Sequence, residues 1–148
     1  KDSDNFKGLA YSYGALGNVY LLKKDYKTAI IYYFKNICIN KKIGKSNTVS
    51  FAYGNIGLSQ MYLRNYKKAK HYISKQLHLE KLNNNHEGVA RALLNLGLLY
   101  LIQGKKKCAL INIRKSVNIS KNYNLKKHLR IAKQYLKNPN NTNSFFVI

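Results

Sequence analysis

Acidic side chains are scarce in this sequence. Its 148 residues hold 5 Asp and Glu against 27 Lys and Arg, a formal net charge of +22. The five acids are too scattered to propose a catalytic carboxylate pair. Proline occurs once, which excludes a proline-rich or collagen-like chain. Two cysteines, Cys38 and Cys108, cannot build a disulfide framework, and they form no CxxC. Both stand in apolar helical context, so buried, reduced thiols in an intracellular (cytoplasmic) chain are expected. His71, His78, His86 and His128 lack HxxxH or HExxH spacing, and no metal site is expected. Neither GxxxxGK(S/T) nor GxGxxG occurs, so the sequence points to no cofactor and to no enzyme. Long apolar runs are missing too. The charge-free stretch 46–63 contains Ser46, Asn47, Ser50, Asn55, Ser59 and Gln60. A spanning helix needs about 20 mainly apolar residues, so no membrane span is expected.

What is present is a 45% apolar chain of one-domain length, enough to bury a core. The excess of Lys invites a nucleic-acid or anionic-surface reading, because cationic side chains release counterions from phosphate. A compositional reading stands beside it. Lys, Asn, Ile, Tyr and Phe total 73 of the 148 residues, and all five have A/T-rich codons. The first residue is Lys1, which suggests a piece of a longer chain or a processed product.

A 40-residue period runs through the sequence. Gly17, Gly57 and Gly97 recur at that spacing, and so do Ala29, Ala69 and Ala109. Around each Gly stand Leu16 and Asn18, Ile56 and Leu58, Leu96 and Leu98. The pattern predicts two helices per copy: A helices at 8–23, 47–63 and 87–103, B helices at 26–42, 66–82 and 105–122. Polar turns separate them, and Asp25 and Asn65 are expected to cap the helices that follow. The small residues would sit where the two helix axes approach most closely. Stacked copies would then bury what no single copy can. The expected organisation is an extension at 1–7, copies at 8–47, 48–87 and 88–127, a capping helix at 125–137 and a tail at 138–148.

This pattern resembles the tetratricopeptide repeat, aromatic-x2-Leu-Gly-x2-Tyr with Ala twelve residues after the Gly. Tyr13, Leu16, Gly17, Tyr20 and Ala29 match in the first copy. Tyr53, Ile56, Gly57 and Ala69 match in the second, and Leu96, Gly97, Tyr100 and Ala109 in the third. The long period is similar to that of the Leu-Gly-Asn scaffolds of cell polarity. The resemblance implies an all-α fold, an α-solenoid of tandem helix hairpins wound as a right-handed superhelix, closed by a C-terminal capping helix. It implies A helices lining a concave groove and B helices on the outer face.

Charge divides along the same line. Residues 8–22 and 46–63 carry none, and 88–104 carry only Arg91, whereas Lys67, Lys68, Lys70 and Lys75 crowd the second B helix. The resemblance therefore implies a nearly neutral groove. Its expected lining is Tyr11, Asn18, Phe51, Asn55, Leu58, Arg91, Leu94, Asn95 and Leu98. A two-carboxylate clamp of the chaperone-binding members is not supported, because Gly14 and Asn95 stand where cations are required. The expected function is protein–protein interaction, a scaffold holding a peptide or helix of a partner protein in that groove. The alternatives are nucleic-acid or anionic-surface binding by the Lys-rich face, and a structural segment of a longer solenoid.

Overall fold

The computed structural model describes residues 2–45 and 49–137. Among them are seven helices and no strand: α1 (Asp2–Leu22), α2 (Tyr26–Lys42), α3 (Ser50–Tyr62), α4 (Tyr66–Leu82), α5 (His86–Ile102), α6 (Lys106–Asn122) and α7 (Lys126–Lys137). The architecture is all-α, built from tandem antiparallel hairpins. α1 begins at Asp2, so residues 2–7 continue the first A helix. The tail 138–148, with Pro139, and the expected start of the second A helix at 47 lie outside the described residues.

The hairpins close on small residues. A Cβ at Gly17 would come within 2.6 Å of the Tyr33 ring. One at Gly57 would meet Ile73 Cγ1 at 2.5 Å, and one at Gly97 would meet Ile113 Cγ1 at 2.6 Å. Ala29, Ala69 and Ala109 are completely buried on the facing helices. A larger side chain at either position would force the pair apart.

The turns show a finer period than 40. Residues 24, 44, 64, 84, 104 and 124 all have positive φ, between 51° and 73°. After each, the next amide donates five residues back, from Asp25 to Tyr20, Lys45 to Asn40, Asn65 to Gln60, Asn85 to Glu80, Lys105 to Tyr100 and Leu125 to Ser120, at 2.8–2.9 Å. These bonds satisfy orphan carbonyls at the helix ends. Only Gly44 and Gly104 are glycines; Lys24, Arg64, Asn84 and Asn124 adopt the left-handed conformation despite their Cβ. The turns thus recur every 20 residues, one between each helix and the next.

Asp25 caps α2 as expected, its Oδ1 accepting from the Thr28 amide at 3.1 Å. Hydrogen bonding to the Thr28 hydroxyl first, and to its amide second, holds the exposed carboxyl below its usual range. The Asn65 side-chain amide donates to Gln60 Oε1 at 2.9 Å. Asn85 caps α5, accepting from Gly88 N at 3.1 Å. The cysteines correct an expectation. Cys38 and Cys108 are free and exposed, because each falls on the solvent side of its B helix.

The chain divides into two compact units, Lys1–Lys75 and Gln76–Ile148. In unit 1, α1 packs on α2 and α2 on α3. In unit 2, α5 packs on α6, and α7 packs on both. α7 has Leu129, Ala132 and Leu136 at the register of Val89, Ala92 and Leu96, so it is built as a further A helix. Lys137 stands where Gly17, Gly57 and Gly97 stand in the three hairpins.

Candidate functional site

In unit 1 the A helices leave an open recess of about 240 Å³. Tyr11, Gly14, Ala15 and Asn18 line it from α1, at a spacing that puts all four on one helix face. Asn36 of α2 and Phe51 of α3 complete it. Tyr11 is 80% exposed, whereas Asn18 and Phe51 are half-buried. Asn36 is fixed by its amide, which donates to the Ala10 carbonyl at 2.7 Å. Gly14 makes room for it, since a Cβ there would lie 3.2 Å from Asn36 Nδ2.

Behind the recess lies a neutral hydrogen-bonded triad. The Tyr33 hydroxyl donates to Asn18 Oδ1 at 2.7 Å. Asn55 Nδ2 donates both to Tyr33 Oη at 3.1 Å and to Asn18 Oδ1 at 3.2 Å. Burial pushes the Tyr33 phenol well above its ordinary pKa, so it remains a proton donor. Asn55 therefore orients Asn18 from within and does not itself reach the surface; it is 3% exposed.

Unit 2 treats its expected site residues differently. Leu94, Asn95 and Leu98 are at most 2% exposed, and Leu58 of unit 1 is likewise buried. None of the four offers open surface. Most residues of α3 and α5, polar ones included, are buried, so these helices are packed on nearly every face. Arg91 is half-buried, and its guanidinium pairs with Glu80 at 3.5 Å. Glu80 Oε2 also accepts from Asn85 Nδ2 at 2.8 Å. A Cβ at Gly88 would collide with the Glu80 carboxylate. Thus Gly88 admits the buried acid, Asn85 and Arg91 satisfy it, and the junction of α4 and α5 is closed by charge. Sequence reasoning missed this cluster; its one signal was an acid three residues from Asn83, in a chain with five acids.

His128 on α7 is 3% exposed, with Nδ1 4.0 Å from Glu87. Burial, which outweighs the nearby Glu87, lowers its pKa, and Arg91 and Lys127 push the same way. Among the described residues, no group of three His, Cys, Asp or Glu side chains could hold a metal ion. No helix among them is long and apolar enough to cross a membrane.

The hairpins, the paired small residues and the repeated turns define a helical-hairpin repeat protein. The family model described as tetratricopeptide repeat matches residues 10–35 and 90–123, one segment in each compact unit. The chain carries tetratricopeptide repeats at those two segments. Repeats of this family generally mediate protein–protein interaction and scaffolding, and typically have no catalytic role. No curated protein matches the chain.

Proposed function

We propose that the chain is a scaffold module that holds a short peptide or helix of a partner protein against its A helices. The observation that carries this reading is the unit 1 recess, where an exposed tyrosine ring stands beside an asparagine fixed from behind. Tyr11 and Phe51 supply apolar contact, and Asn18 supplies polar contact to a partner's backbone. Asn55 acts by positioning Asn18. Leu58, Leu94, Asn95 and Leu98 support the helices through packing, and Arg91 is engaged by Glu80. Two unbridged thiols fit a reducing, intracellular setting.

The test is affinity capture after nuclease treatment at about 150 mM salt, near the physiological value. It compares the native chain with a Tyr11→Ser/Ala15→Arg variant, both changes lying on exposed positions. Loss of captured proteins, and at least a roughly tenfold weaker binding of any purified partner, is expected from removing an aromatic anchor. If nuclease strips every captured species and the variant behaves as native, the exposed lysines of α4 and α6 are the functional surface and the peptide reading fails.

A second reading, a segment of a longer array, is favoured by α1. Leu9, Leu16 and Val19 are 37–44% exposed, whereas Val49, Ile56 and Ser59 at the same register are at most 1% exposed. α1 thus presents to solvent a face that α3 buries. Further 40-residue copies ahead of Lys1 would establish this reading, and their absence from the parent gene would end it.

A further inference from the structure

Three positions outside the unit 1 recess recur with the 40-residue period. In the first copy the rings of Tyr13 and Tyr32 lie 6.2 Å apart, and Lys35 Nζ stands 5.5 and 5.2 Å from their centroids. In the second copy Tyr53 and Tyr72 lie 6.1 Å apart, with Lys75 Nζ at 5.4 and 5.8 Å. The third copy keeps the lysine, Lys115, but Leu93 and Asn112 stand in place of the two rings.

Where the rings are missing, the surface of unit 2 opens into a recess of about 470 Å³. Its apolar lining is Leu77, Val89, Leu93 and Ile119, and Lys81 and Lys115 flank it as exposed cations. Asn112 does not replace the absent ring, because its amide is engaged by the Cys108 carbonyl of its own helix at 2.8 Å. The volume is within the range of pockets that bury small ligands.

We infer that this recess binds an aromatic side chain of a partner protein, a Phe, Tyr or Trp ring seated on the leucines and valine beneath the Lys115 ammonium. At these two positions the chain twice places a pair of its own rings, each time next to the lysine of the same register. A ring there gains apolar burial and the attraction of a cation for its face. A nucleobase is disfavoured, since base binding relies on aromatic stacking platforms and this lining has none. The inference goes beyond the unit 1 recess, and its test leaves Tyr11 untouched.

The experiment is a titration of the full chain with N-acetyl-tryptophanamide, read from methyl NMR shifts of Leu77, Val89, Leu93 and Ile119. Saturable shifts at these methyls are expected. Lys115→Ala should weaken binding about 2- to 5-fold, the range for an exposed cation–π contact. Leu93→Tyr/Asn112→Tyr restores the pair used by the other two copies, so it should abolish binding while the chain melts no lower than native. Four results would overturn the inference: no shift up to the solubility of the probe, equal binding of the cyclohexylalanine analogue, tighter binding of adenosine monophosphate, or binding seen only after removal of residues 138–148. The last would mean that the chain's own tail, and not a partner, occupies the recess.

Discussion

The two compact units use the same hairpin but close it with different polar chemistry. Unit 1 ties Asn18, Tyr33 and Asn55 together with neutral hydrogen bonds. Unit 2 buries a carboxylate, Glu80, and satisfies it with Asn85 and Arg91. The requirement shared by both is geometric: small residues where helices touch and a left-handed residue at each turn. The chemistry at the junctions is free to vary, and with it the response to mutation and to pH.

The largest effect should come from the charged junction. Glu80→Ala leaves Arg91 half-buried without its carboxylate and a void beside Gly88. Breaking a buried pair costs about 3 kcal/mol, and amide exchange confined to unit 2 should report it. A loss below about 1 kcal/mol would show that the pair is not what closes the α4–α5 junction. The neutral junction should respond less. Tyr33→Phe removes one hydroxyl that donates once and accepts once, at a cost of about 1–2 kcal/mol to unit 1. If Tyr33→Phe proved the more damaging of the two, the contrast between the units would be reversed.

The smallest effect is a dependence on pH. The folded His128 has a pKa below its ordinary value of 6.5, so the unfolded chain binds more protons in the window below 6.5. The stability that His128 contributes is present above that value and is lost as pH falls towards its folded pKa. Denaturation curves followed in unit 2 should therefore weaken below pH 6.5, and His128→Leu should flatten the trend. An unchanged slope in the variant would assign the dependence to another group.

The repeat was legible because the close approach of two helices admits few residue types, and Gly17, Gly57 and Gly97 meet that demand three times. The helix boundaries followed from the same period. The left-handed residues at Lys24 and Arg64 were hidden, since neither side chain advertises the conformation. Cys38 and Cys108 were misplaced because apolar neighbours along the chain describe a helix as a whole and not which face a residue occupies. The Asn18–Asn55 link could be suspected from two amides in charge-free helices. That it runs through Tyr33, fifteen residues on, required the fold. Glu80 and Gly88 left no periodic trace, since the pair occurs at one junction only.

The spacing of the turns limits how this chain can change length. A deletion of 20 residues would leave every remaining turn in register, yet it would place a B helix where an A helix belongs. The Gly of one hairpin would then face another Gly or lose its Ala. A deletion or duplication of 40 residues changes neither the turns nor the pairing. Chains of this type can therefore be lengthened or shortened by whole hairpins, and a single-helix change leaves one helix without its mate.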